Sequence, residues 1–209
     1  MPCDVTSSSV TEITCHLQEN DQSSSSLLDS DAGSQVDGYI SGAGFAYQRW
    51  DVSDLGTKTY AGLKAALDSG SHSMTLLEEG VRGEWESTNV YGEYYGQVFK
   101  GYFYAPVDGN YTFRGSADDS FGLYMSDEYG SKSLNSDPLI YASSHSSDAD
   151  NYYLTNYSTA VNGEKLLEGG KYYYTELYQV NGGSTGFLKV SVSVPNNNTD
   201  LLWQTHEVN

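Results

Sequence analysis

Basic residues are scarce in this chain: ten Lys and Arg stand against 28 Asp and Glu over 209 residues, a net charge of −18. Nucleic acids and anionic membranes attract patches of Lys and Arg, so neither is an expected partner. The same acidity suits a protein that binds hard cations through oxygen ligands. It suits equally a secreted protein whose acidic surface only keeps it in solution. No run is long and apolar enough for a membrane span or a signal-peptide core, so direct membrane insertion of this segment is not expected. Nothing in it shows how the protein reaches a cell surface, and it reads as an excised part of something longer. Histidines are few and scattered (His16, His72, His145, His206), none with a second ligand at zinc spacing. Nucleophile elbows, phosphate-binding loops and a catalytic-cysteine context are also missing. Glu78 and Glu79 are adjacent, whereas glycosidase carboxylates must face each other across a cleft. A charged turn is the simpler reading, and no enzyme is expected.

Only two cysteines occur, Cys3 and Cys15, both near the start of the chain. They could bridge two neighbouring strands in an oxidising compartment, or stand as two unrelated thiols. Asn110, Asn156 and Asn197 each open an Asn-x-Ser/Thr sequon. These permit N-glycosylation and fit an extracellular setting, although such triplets also arise by chance in a chain rich in Ser, Thr and Asn.

What is present is strand-like. Aromatic residues alternate at Tyr102 and Tyr104, then at Tyr111 and Phe113, as on a pleated, half-buried surface. Asp108-Gly109 between these runs predicts a tight hairpin, because glycine accepts positive φ without steric cost. Lys171 to Val180 and Phe187 to Val194 are the clearest strands. In the second, Leu188, Val190, Val192 and Val194 face one way, with Lys189, Ser191 and Ser193 facing the other. Thr75 to Leu77 and Val81 to Trp85 read as short strands about an acidic turn, Glu78-Glu79-Gly80. Thr59 to Leu67 is the one convincing helical stretch, and Gly70 is placed to end it. Ser126 to Asn151 reads as a long functional or variable loop, strand-like only at Leu139-Ile140-Tyr141. Many short strands with polar turns and at most one or two short helices predict an all-β fold, an antiparallel sandwich or barrel. Residues 21–35 have the Ser, Asp and Gly composition of a linker.

Gly101-Tyr-Phe-Tyr-Ala-Pro-x-x-Gly-x-Tyr-Thr-Phe, Ser116-x-Asp-Asp-Ser-x-x-Leu-Tyr, and Gly170-Lys-Tyr-Tyr-Tyr leading into Phe187-Leu-Lys-Val together resemble a PA-fourteen domain. This is the β-sandwich module named after anthrax protective antigen, and the resemblance assigns it to residues 36–209. Residues 1–20, with Cys3, a Ser-rich turn and Ile13-Thr-Cys15, resemble the closing strands of an IPT/TIG domain. That order is similar to the ectodomains of fibrocystin-like receptors.

The resemblance implies a calcium site. In lectin-like members two neighbouring aspartates, joined by a cis peptide, hold the ion. A second loop adds an asparagine and backbone carbonyls, and the ion coordinates sugar hydroxyls. Asp118 and Asp119 match the aspartate pair, and Asn181 the asparagine, with Gly183 and Thr185 as carbonyl donors. Calcium takes about six to eight oxygens, so these would leave positions for water or vicinal hydroxyls. On a regular strand adjacent side chains point to opposite faces, so two such carboxylates converge only where the backbone bends sharply. The adhesins tend to carry a bulky aromatic in the second loop; here Gly182, Gly183 and Ser184 are small. The expected function is calcium-dependent glycan binding by an extracellular or cell-surface module acting in adhesion or recognition. The alternative is a structural module docking neighbouring ectodomains, with calcium only stabilising loops.

Overall fold

In this computed structural model the described residues are 4–9, 12–16, 44–88, 92–144, 161–183, 186–195 and 200–202. The chain divides into two compact units, Met1–Gly38 and Tyr39–Asn209. In the first, β1 (Asp4–Ser9) and β2 (Glu12–His16) pair antiparallel, with Val5 opposite Cys15. Cys3 and the predicted linker lie outside the described residues, as does the side chain of Cys15.

The second unit contains β3 (Phe45–Asp51), α1 (Tyr60–Ser69), β4 (Thr75–Arg82), β5 (Glu86–Thr88), β6 (Tyr95–Ala105), β7 (Gly109–Asp118) and β8 (Ser120–Met125). It continues with β9 (Ile140–Ala142), β10 (Val161–Leu167), β11 (Lys171–Asn181), β12 (Phe187–Ser193) and β13 (Asp200–Leu202). Two antiparallel sheets form. One has six strands in the order β4-β3-β6-β11-β8-β9; the other has the order β10-β7-β12-β13, with β5 also pairing with β12. The expected all-β sandwich with one short helix is present.

Its core lies between the sheets. The inward phase of β6 brings Phe99, Phe103 and Ala105 against Tyr111 and Phe113 of β7 and Leu188, Val190 and Val192 of β12. Phe103 meets Tyr111 and Phe113 edge-on, at centroid distances of 5.6 and 5.3 Å. Each fully buried Phe contributes about 1.5–3 kcal/mol relative to exposure. The opposite phase of β6 and β11 forms tyrosine pairs on the outer face, Tyr102 with Tyr174 and Tyr104 with Tyr172. Alternation in β12 is as read for the core face, but Lys189 and Ser191 are buried as well. The Lys189 ammonium lies 3.5 Å from Glu86 of the neighbouring β5, which offsets its desolvation.

Two local readings change. The Asp108-Gly109 turn is not a hairpin: β6 pairs with β3 and β11, β7 pairs with β10 and β12, and the two strands lie in different sheets. Their aromatic faces pack against each other across the core, and that burial outweighs edge-to-edge pairing. Gly109 does adopt φ 141, and a Cβ there would press on Pro195 at 2.7 Å. Glu78-Glu79-Gly80 is not a turn either. Strand β4 runs through it, pairing with β3, while the Glu78 carboxylate accepts from Arg82 at 2.5 Å and from Arg49 at 3.3 Å. On an edge strand exposed charges are well tolerated.

The helix forms where expected. The Thr59 hydroxyl caps it by accepting from Gly62 N at 3.1 Å, and Gly70 ends it in the left-handed conformation with φ 63. Its Leu63 packs into a second cluster with Val52, Val98, Tyr178 and Val180. The helix thereby covers part of the six-stranded sheet and brings its first turn beside β8.

Candidate functional site

Strand β7 ends in one sheet and β8 begins in the other, so Asp118-Asp119 is a crossing between sheets. Strand β11 ends in the second sheet and β12 begins in the first, so the segment between Asn181 and Phe187 crosses back. Register holds the two crossings together. Asp118 lies opposite Phe187 in one sheet, and Ser120 lies opposite Val180 in the other. Asp119 N donates to Val180 O at 3.1 Å. Two loops about sixty residues apart in sequence are thus adjacent in space.

The Asp118-Asp119 peptide is cis. Both aspartates are half-buried. Asp119 Oδ2 accepts from Gly182 N at 2.7 Å, while Oδ1 has no partner and the carboxylate no ion pair among the described residues. Asn181 is fully buried, and its Nδ2 donates to Gly92 O at 2.8 Å. That commitment turns Oδ1 to the other side, where Gly183 N approaches at 3.4 Å. A Cβ on Gly186 would lie 2.7 Å from Asn181 Cγ, 2.8 Å from Asp118 O and 2.6 Å from the Tyr95 hydroxyl. Only glycine allows the start of β12 to close this far onto the asparagine and the first aspartate.

A buried amide relay runs beneath. The Tyr47 hydroxyl donates to Gln97 Oε1 at 3.1 Å. Gln97 Nε2 in turn donates to Ser87 Oγ and Gln179 Oε1, each at 2.8 Å. Gln179 Nε2 donates to Asp118 O at 2.5 Å. Both glutamines are fully buried. Satisfied in this way they cost little, and they anchor the first aspartate from below. On the flank, Ser120 Oγ accepts from Tyr60 N at 3.0 Å, which ties the second loop residue to the first turn of α1.

Of the residues expected to hold an ion, Asp118, Asp119, Asn181 and Gly183 therefore come together, and Thr185 lies outside the described residues. Among the described residues no three acidic, histidine or cysteine side chains cluster as a metal-binding group. The donor set is instead two carboxylates, one amide and backbone carbonyls. That set fits calcium, a hard cation that accepts mixed oxygen ligands, and is a poor match for zinc. Asn110 is exposed on β7, where its amide donates to Glu164 at 2.6 Å; Asn156 and Asn197 lie outside the described residues.

Sequence reasoning missed Gly92, Gln97 and Gln179. The signal for the glutamines was available. Gln97 lies in the core phase of β6 with Phe99 and Phe103, and Gln179 shares the core phase of β11 with Leu177 and Asn181. An amide at such a position must find a buried partner.

Comparison with known proteins places the fold in a defined class. The fold is similar to that of the epithelial adhesin 6 A domain from Candida glabrata, solved in complex with Galβ1-3GlcNAc (16% identity, 78% of this chain and 84% of that one, TM-score 0.55). It is similar to the PA14 domain of the antifreeze protein MpAFP (12% identity, 78% and 88%, TM-score 0.56). It is also similar to the PA14 sugar-binding domain from an RTX adhesin (11% identity, 78% and 96%, TM-score 0.54). At these identities the likeness shows the fold, a PA-fourteen-type β-sandwich. More particularly, residues 95–194 match the family model of the GLEYA domain, a span that begins at β6 and includes both inter-sheet crossings of the site. No curated protein matches the chain in sequence.

Proposed function

We propose that this chain is a calcium-dependent carbohydrate-binding module of an extracellular or cell-surface protein, acting in adhesion or recognition. It works by binding and performs no catalysis. The observation that carries the reading is the strand register that sets the Asp118-Asp119 crossing beside the buried Asn181. Two carboxylates and an oriented amide are there supplied from separate loops. Asp118 and Asp119 would neutralise the ion's charge, Asn181 would add its amide oxygen, and Gly183 and Thr185 would add carbonyls. Bound there, calcium supplies open coordination positions for vicinal sugar hydroxyls. The glycans carried by the Candida glabrata adhesin structures, Galβ1-3GlcNAc and Galβ1-4GlcNAc among them, are the first ligands to try.

The test is calorimetric titration of calcium into the protein, followed by glycan-array binding with and without chelator. Calcium uptake in the micromolar to millimolar range, with sugar binding abolished by chelator, is the expected result. No uptake at millimolar calcium overturns the mechanism. Uptake without any glycan binding leaves the site as a loop staple and the module as a structural one that docks neighbouring ectodomains.

A further inference from the structure

Asn181 is fastened on one side by a segment that the calcium reading does not use. Its Nδ2 donates to Gly92 O, and three residues later the chain enters β6 at Tyr95, the direct register partner of both Asn181 and Asp51. Between them stands Tyr94, with φ 58, the only non-glycine residue of positive φ among the described residues. A bulky side chain is disfavoured in that region, and outliers of this kind concentrate where a side chain must be aimed. The conformation is held from behind, because Val52 N donates to Tyr94 O at 2.9 Å.

The side chain does not use this conformation to reach the core. Tyr94 is 41% exposed, whereas the adjacent Tyr95 is buried against the site. Lys58 Nζ lies 5.8 Å from the centre of the Tyr94 ring and donates to Leu55 O at 3.2 Å. In a chain with 28 acidic residues, this lysine has no carboxylate partner among the described residues. It braces one face of the ring by a cation–π contact. Across the site Gly183 stands open, since a Cβ there would meet nothing within 4 Å.

We infer that Tyr94 is a specificity-determining residue. It is an aromatic wall on the rim of the Asp118-Asp119-Asn181 site, against which the C–H face of a pyranose packs while the sugar's hydroxyls turn toward the site. The ligand class is then a sugar with a contiguous apolar face on one side and vicinal hydroxyls on the other. This inference rests on the calcium-and-sugar reading above.

The experiment separates the two. Wild type, Tyr94→Gly and Tyr94→Phe are each titrated with calcium by calorimetry and melted. They are then measured against immobilised β-lactose, Galβ1-3GlcNAc and mannan in saturating calcium. Glycine removes the backbone penalty along with the ring. Tyr94→Gly is therefore expected to keep its calcium affinity, to melt no lower than wild type, and to lose sugar affinity by about five- to tenfold. Tyr94→Phe keeps the ring and is expected to bind sugar within about twofold of wild type. Unchanged sugar binding in Tyr94→Gly overturns the inference. So does a loss that merely follows a fall in calcium affinity and melting temperature, or an equal loss in Tyr94→Phe. If wild type itself takes up calcium but none of the three glycans, the sugar reading fails and Tyr94 loses its role with it.

Discussion

Strand β7 leaves its sheet at both ends, and the two crossings share one lock but differ in what surrounds it. At the Asp108 end, Asp108 Oδ1 accepts from Gly169 N at 2.6 Å, and Gly170 N donates to Ala105 O at 2.7 Å. The Tyr111 hydroxyl closes that turn by donating to Val107 O and accepting from Val107 N. At the Asp119 end, Asp119 Oδ2 accepts from Gly182 N at 2.7 Å. In each case an aspartate in one crossing captures a glycine N–H of the loop that precedes the next strand in the sandwich. The Asp108 end stops there. The other end adds a second aspartate through a cis peptide, a buried asparagine opposite, and an amide relay under the first carbonyl. An aspartate–glycine lock thus makes a staple. A second carboxylate and an oriented amide are what the proposed cation site adds to it.

The largest expected difference comes from removing the two aspartates in parallel. Asp119→Ala is expected to weaken calcium binding by about a hundredfold or more, roughly 2.7 kcal/mol, in a calorimetric titration. Asp108→Ala should leave calcium affinity unchanged and cost about 1 kcal/mol of stability in a urea melt. Equal calcium affinities in the two variants would dissolve the distinction between staple and site.

Next in size is Gln179→Leu. It removes one hydrogen bond each from Asp118 O and Gln97 Nε2, at about 1–3 kcal/mol in unfolding free energy. Because Asp118 then loses its anchor, calcium affinity is expected to fall as well. A stability loss with undiminished affinity would show that the relay supports the sheets and not the site.

The smallest effect concerns pH and involves neither aspartate of the proposed site. Hydrogen bonds from Lys165 and Asn135 hold the Asp127 carboxyl below its ordinary value of 3.8. A depressed folded pKa means the stabilisation is complete at neutral pH and is lost as pH falls from the ordinary carboxylate range through the folded value. The Asp127 side chain is 65% exposed, so screening limits the contribution to about 0.5 kcal/mol. Asp127→Asn should therefore barely shift the melting temperature at pH 7, and even that difference should shrink as pH falls below the ordinary carboxylate range, by calorimetric scan.

Much of the molecule was legible from local pattern. The strands β11 and β12, the helix with its Thr59 and Gly70 caps, and the sandwich class follow from periodicity, turn chemistry and propensity, which act between residues close in sequence. Asp118, Asp119 and Asn181 were nameable because the motifs that carry them resemble a known family. The errors share one cause. Asp108-Gly109 has the chemistry of a hairpin turn, yet whether the strands beside it pair or face each other depends on aromatic packing across the core, which no local pattern records. Glu78-Glu79-Gly80 has the composition of a turn, yet its neighbour β3 and the arginines Arg49 and Arg82 make it strand.

By itself, then, the sequence determined an acidic, strand-rich sandwich with a pair of adjacent carboxylates in a loop and an asparagine about sixty residues later. Only the tertiary structure decided that these belong to one place. Convergence came from strand register, with Asp118 opposite Phe187 and Tyr95 opposite Asn181, and from glycine at 186 letting the backbones close. The third flank at Gly92 to Tyr94 is likewise a product of register: a single hydrogen bond to the buried amide brings it to the site. Hydrophobic burial selects which faces turn inward, but pairing across the sheets selects which loops become neighbours, and that selection is non-local.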